Sequence, residues 1–238
     1  MLVPAGCRTV AVLLPAVLRN WRAFYVMTGW LMDDELTLCV LIDYQNIHLT
    51  ARDVFAPPGT RAEDTVVHPL AFAEKLVEIR AASQQVSAQK QARLQSVRVY
   101  RGAPSNRHEP VLYSVTQRQS AFWSRDQRVI MTSRTLRYPG NWGSATSSER
   151  PREKGIDVLL ALDLVDLAAA GTYDVVVLAT HDTDLEPAID RALSKRRAKV
   201  ETAGWQGARR LKPQGQSVWH TFLSACDYVA VRDRRNYR

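Results

Sequence analysis

Cysteine is scarce: the chain has three, Cys7, Cys39 and Cys226. They are too few and too scattered for a disulfide framework or a thiolate zinc site, and this usage points to a reducing compartment such as the cytoplasm. A membrane-spanning run is also missing. The apolar stretch at residues 9–18 follows Arg8 and is soon interrupted by Arg19, Trp21 and Arg22, short of the roughly 20 residues a span requires. No small-residue cleavage site follows it, so it is read as an extension over residues 1–35 rather than a secretory signal, with Met32 as an alternative start. No serine sits in a nucleophile elbow, no glycine-rich loop cradles phosphate, no histidine pair has zinc-ligand spacing, and no internal repeat recurs. Any hydrolytic chemistry must therefore do without a side-chain nucleophile of these kinds.

What the sequence does have is positive charge and ordered apolar segments. Its 238 residues carry 32 Lys and Arg against 24 Asp and Glu, a net charge of +8, which favours a polyanionic partner such as nucleic acid. The run Leu38-Cys39-Val40-Leu41-Ile42 stops abruptly at Asp43, as expected of a strand buried on both faces. Residues 69–94 read as one long helix with a Gln-rich second half, 97–100 as a strand, 109–124 as a helix and 129–132 as a third strand. Residues 134–152, with Pro139, Gly140, Gly143 and Pro151, form a loop of a length usually reserved for function or disorder. Residues 154–170 read as a largely buried helix stopped by Gly171, followed by a strand at 174–179, a helix at 185–194 and a fifth strand at 198–202. This β-α alternation predicts an α/β fold: a three-layer α/β/α sandwich around a mainly parallel sheet, Rossmann-like, over residues 36–230, with a basic tail at 231–238.

In such sheets ligands bind beyond the carboxyl ends of the strands. Asp43 ends the first strand, and Asp182 and Asp184 follow the fourth across Thr180 and His181, so these acids are expected on one rim. If Asp157 joins them, carboxylates about 4 Å apart repel by roughly 4 kcal/mol at an effective dielectric near 20. A hard divalent cation, Mg²⁺ or Mn²⁺, offsets that charge at neutral pH and keeps water in its coordination sphere for hydrolysis. Each acid also has a structural reading. Asp184 fits the N-cap of the following helix, Asn46 the cap of the helix after the first strand, Asp157 a first-turn acid aligned with the helix dipole. Asp163 shares the face of Ile156, Leu160 and Leu167 and is read as a structural acid needing a partner.

These residues resemble the NYN family of the PIN-like nuclease superfamily. Leu41-Ile42-Asp43-Tyr44-Gln45-Asn46 is similar to its opening strand with an Asp-x-x-Asn signature, Lys154-Gly155-Ile156-Asp157 with Asp163 to its second block, and Thr180-His181-Asp182-Thr183-Asp184-Leu185 after a hydrophobic strand to its third. The resemblance implies metal-dependent RNA cleavage, with Asp43, Asp157, Asp182 and Asp184 as catalytic and metal-binding acids and Asn46, Lys154, Thr180 and His181 on the substrate side. Two departures stand out: Thr180 replaces the usual serine, and His181 replaces a small residue, adding bulk and a group that can exchange protons. Basic residues cluster at 191–199, 209–212 and 232–238 as a surface for phosphates, and Trp142 and Trp205 are placed to stack on unpaired bases. The alternative is a domain of the same fold that binds RNA or a regulatory protein without cutting, and self-association is compatible with either. Asp182-Thr183-Asp184 also resembles the acidic pairs of haloacid-dehalogenase-like phosphatases, whose pair belongs at the first strand, of sugar-nucleotide transferases, which need a pocket the sequence does not point to, and of topoisomerase-primase domains, which expect a glutamate where Asp43 stands.

Overall fold

The computed structural model describes residues 35–87, 91–144, 149–214 and 217–238. The chain divides into two units, residues 1–35 and 36–238, and the expected N-terminal extension lies almost wholly outside the described residues. The second unit is a six-stranded sheet in the order β3-β2-β1-β4-β5-β6 with every adjacent pair parallel. The expected α/β/α sandwich is therefore what forms.

The central strand β1 (Leu36–Asp43) is flanked by β2 (Ala92–Ala103) and β4 (Val175–Ala179), with Ile42 opposite Val99 on one side and Ala179 on the other. Two neighbours and two covered faces explain why residues 38–42 and 175–179 are unbroken apolar runs rather than alternating ones. On one face α1 (Tyr44–Phe55), α2 (Pro69–Ser87) and α3 (Pro110–Trp123) pack with Val40, Ile42, Val97 and Val177. On the other, α4 (Ile156–Ala170) and α5 (Glu186–Leu193) cover Cys39, Leu41, Val176 and Leu178. The chain runs outward from β1 through β2 to β3 (Val129–Thr135), returns to the centre for β4, and runs outward the other way through β5 (Lys199–Trp205). The reversal lies between β1 and β4, the place beyond the strand ends where sheets of this type bind ligands.

The structure corrects the sequence reading in several places. The helix expected to reach residue 94 ends at Ser87, and β2 begins at Ala92. Ala92 and Leu94 are buried while Arg93 and Gln95 face outward, a two-residue period that a Gln-rich context had hidden. The short strand β6 (His220–Leu223) and α6 (Ala225–Val231) were not anticipated. Four residues are too few for a periodic signal, and α6 relies on a reciprocal cap in which Ser224 and Asp227 bind each other's backbone N–H. Trp205 is no loop residue: it ends β5, is fully buried, and donates its indole N–H to Ile47 O at 2.8 Å. Of residues 231–238, set apart as a tail, Val231 ends α6 and the rest pack onto the domain, with Asp233 N donating to Val66 O and Tyr237 buried.

One ion pair ties the helical layer to the sheet inside the core. Arg80 of α2 holds Glu201 of β5 through Nε to Oε2 at 2.7 Å and Nη2 to Oε1 at 2.8 Å, both side chains being 1% exposed. Lys199 Nζ also lies 3.0 Å from Glu201 Oε1, so Glu201 keeps a cation when Arg80 is replaced, whereas removing Glu201 takes from the Arg80 guanidinium the carboxylate that holds it in a buried site, which costs about 3–5 kcal/mol. Glu201→Met is expected to lower urea-unfolding stability by that order, and Glu201→Met with Arg80→Met to recover most of it. A single variant as stable as the parent would show the pair to be dispensable.

Candidate active site

Asp43 lies where the two central strands end. It is 5% exposed, and its carboxylate accepts the Thr180 hydroxyl proton at 2.8 Å and the Asn46 backbone N–H at 3.4 Å. Asp43, not Asn46, is thus the N-cap of α1. Asn46 turns instead toward the loop after β4, where its Oδ1 accepts the backbone N–H of His181 at 2.8 Å. The Thr180 hydroxyl also accepts from Asp182 N at 3.0 Å, so it bridges the ends of β1 and the loop after β4. Asp182 caps a short 3-10 turn, accepting Asp184 N at 3.0 Å. Capping of the turn therefore falls to Asp182, while Asp184 projects into solvent.

Asp157 enters from the first turn of α4, and Gly155 starts that helix with φ of +77°, a left-handed conformation that side chains resist. Glu153, two residues earlier, completes the group: its carboxylate accepts the Gly102 N–H at the end of β2. A Cβ at Gly102 would sit 2.6 Å from Glu153 Oε1, so the glycine is what allows this approach. Glu153 was passed over in the sequence because the loop around it shows no periodicity. Its nearness to Gly155 and Asp157 was the available signal.

These acids sense one another. Burial, opposed by the Thr180 and Asn46 hydrogen bonds and reinforced by the charges of Asp157 and Glu153, pushes Asp43 up to about 7. Burial raises Asp157 as well, helped by Asp182 and Asp184. Glu153 is raised by burial, against the Gly102 N–H, with Asp157 adding repulsion and Arg101 relieving it. Five carboxylates from four segments thus share one field. Among the described residues, no three His, Cys, Asp or Glu side chains stand close enough to chelate a single ion directly. The donors nevertheless suit a hard cation held by one or two carboxylates that keeps most of its water, the habit of Mg²⁺.

The NYN domain family matches residues 37–231, which contain every side chain just described. The chain belongs to this family. It therefore falls within the PIN-like nuclease superfamily, whose members of this type are generally RNA-directed hydrolases. A solved structure from Vibrio parahaemolyticus, described as a protein of unknown function, is similar, with 17% identity, a TM-score of 0.48, and coverage of 81% of this chain and 94% of that chain. No curated protein matches.

His181, one of the two positions read from the sequence as a departure, is fixed by packing in this NYN domain. His181 is 8% exposed; Nδ1 donates to Arg209 O at 2.8 Å and Nε2 accepts Trp205 N–H at 3.0 Å, which selects the neutral tautomer. Burial lowers its pKa. The ring rests on Gly204, where a Cβ would lie 2.3 Å from Cε1. Both nitrogens are thus committed to the fold. Lys154 is exposed beside the acids. Arg134, at the end of β3, brings Nη1 to 3.1 Å from the Cβ position of Gly155, a cation at the rim that the sequence reading did not single out. Asp163 is a structural acid, accepting the Tyr100 hydroxyl and lying 3.4 Å from Arg98 Nη1. Trp142 stands in an aromatic group with Tyr138 at 5.5 Å between ring centres.

A pKa raised on folding means that the folded state holds the proton more tightly than the unfolded one. Asp43's contribution to stability is therefore complete below pH 4 and lost as pH rises through about 7. Asp43→Asn keeps an oxygen for Thr180 and Asn46 but no charge. In chelator it is expected to be more stable than the parent above pH 7, by roughly a few kcal/mol, and no more stable near pH 4. Paired thermal melts from pH 4 to 8 measure this, and a difference that does not change with pH would refute it.

Proposed function

We propose that this NYN domain is a divalent-metal-dependent ribonuclease. The observation that carries the reading is the buried Asp43 at the reversal of strand order, its charge opposed by Asp157 and Glu153 and its carboxylate oriented by Thr180. Mg²⁺ or Mn²⁺ bound among Asp43, Asp157, Asp182 and Asp184 would supply an acidified water and screen the phosphodiester oxygens.

The chain's own residues do the positioning. Thr180 fixes Asp43 from below, and the Asn46 side chain pins the backbone of His181, so the two strand ends stay in register while the acids repel. His181 acts as a strut between the loop after β4 and β5 rather than as a proton donor. Asp182 and Asp184 act on Asp157 through their fields, and the exposed Asp184 would guide a cation inward. Lys154 and Arg134 lie on the exposed rim and are suited to phosphates flanking the cleaved bond. RNA is the partner this arrangement fits. No helix among the described residues is long and apolar enough to cross a membrane, and the sparse cysteine favours the cytoplasm as the working compartment.

One observation favours a second reading, an NYN domain that binds RNA or a protein without cutting it: among the described residues no three candidate ligands are gathered at chelating distance. Cleavage decides between them. With labelled single-stranded RNA and millimolar Mg²⁺ or Mn²⁺, the parent is expected to cut, chelator to stop it, and Asp43→Ala or Asp182→Ala to slow it about a hundredfold or more, roughly 3 kcal/mol of transition-state stabilisation. Circular dichroism should show the variants folded. Equal degradation by the parent and the Asp43→Ala, Asp182→Ala double variant would remove the nuclease assignment.

A further inference from the structure

On the α1 and α3 side of the same rim lies a half-open cavity of about 920 Å³. Two of its lining residues are one backbone step from the acidic site: Tyr44 follows Asp43, and Arg101 precedes Gly102, whose N–H holds Glu153. Strand alternation sends Tyr100 to the α4 face and Arg101 to this one.

Arg101 is the unusual group. Its guanidinium carbon lies 4.9 Å from the centre of the Tyr44 ring and 5.6 Å from that of Trp123. Nη1 donates to Gln119 Oε1 at 3.2 Å, while Nε is buried with no hydrogen-bond partner. Burial lowers its pKa, and the fields of Tyr44 and Glu153 only partly offset this. The acids around the cavity are engaged elsewhere. Glu109 accepts the Tyr138 hydroxyl at 2.6 Å, Asp233 accepts the Trp123 indole at 2.8 Å and the Tyr237 hydroxyl at 2.6 Å, and Glu63 pairs with Arg61 at 2.7 Å. The Tyr44 ring is anchored in the wall by its hydroxyl, which donates to Val67 O at 3.0 Å. Arg234 and Arg235 line the cavity from the C-terminal segment, Arg235 lying 3.8 Å from the centre of the Phe122 ring.

A half-buried guanidinium whose Nε has no hydrogen-bond partner, and which feels the Glu153 carboxylate only as a partial offset to burial, is stabilised by an anion arriving from outside. A planar fork of donors between aromatic faces suits a phosphate with an attached nucleoside. We propose that this cavity is a phosphate seat for single-stranded nucleic acid: Arg101 donates to phosphate oxygens, and the strand continues over the neighbouring acidic rim. Only the second half of that statement rests on the nuclease reading. The phosphate is either a terminal monoester or an internal diester of the strand.

Binding in chelator isolates the seat, because the metal-free acidic rim repels phosphate and nothing is cut. Anisotropy is measured with 3′-labelled oligouridylates carrying a 5′-phosphate or a 5′-hydroxyl, on the full chain. Arg101→Met is expected to weaken binding about tenfold, and inorganic phosphate to raise the melting temperature of the parent but not of the variant. Because the unpaired charge is gone, the phosphate-free variant should melt no lower than the parent, which a merely structural arginine would not allow. Preference for the 5′-phosphate assigns the seat to a terminal group, and equal affinity assigns it to an internal diester; both support the seat. If Arg101→Met does not fold, Arg234→Glu with Arg235→Glu at the cavity edge is expected to weaken binding and flatten its salt dependence. Unchanged affinity in the variants, or an equal phosphate-induced shift in parent and Arg101→Met, overturns the proposal. Arg101-dependent binding in a protein that does not cut RNA with Mg²⁺ would leave the seat standing and remove only the nuclease reading.

Discussion

The arrangement of this molecule depends on the repulsion gathered around Asp43. A carboxylate at the end of a strand covered on both faces loses most of its water, and two hydrogen bonds, from Thr180 and from the Asn46 backbone, do not restore it. Its ionised form is held in place by the sheet and disfavoured by the same sheet. Every nearby feature either bears that cost or adds to it. The apolar contacts of β1 and β4 hold the strand ends together, while Asp157 and Glu153 add charge of the same sign.

Two glycines show how closely the site is built. Gly102 lets the Glu153 carboxylate reach the backbone of β2, and Gly204 makes room for the His181 ring under β5. In each case a side chain from a loop is braced against a strand where any larger residue would collide. The bulk of the His181 ring is therefore accommodated by a glycine 23 positions later in the chain. Both ring nitrogens are spent on main-chain partners, Arg209 O and Trp205 N.

The same rim has a positive side. Strand pleating places Arg101 across the sheet from the acids, and Glu153 is the group whose field reaches both. Opposite charge on the two sides of one sheet edge suits a partner that is a chain of phosphates, since such a polymer meets cations and a screened acidic pocket in succession.

Much of this was legible in the chain itself. The buried runs at residues 38–42 and 175–179, each ending in polar residues, specified central parallel strands, and the placement of Asp43 and Asp182 after them followed from that fold class. Local pattern misled where periodicity was weak: at Ala92 and Leu94, read as helix, and at His220–Leu223, too short to register. It could not show that Asp43 rather than Asn46 caps α1, that Trp205 is buried, that Glu153 joins the acids, or that His181 is a strut. Those facts depend on which distant segments meet, and hydrogen bonds between residues more than 100 positions apart, such as Thr180 to Asp43, leave no trace in local spacing. Apolar periodicity is a property of neighbouring residues and was fully present in the sequence; the field around a carboxylate is a property of everything packed against it, and only the folded sheet decided that.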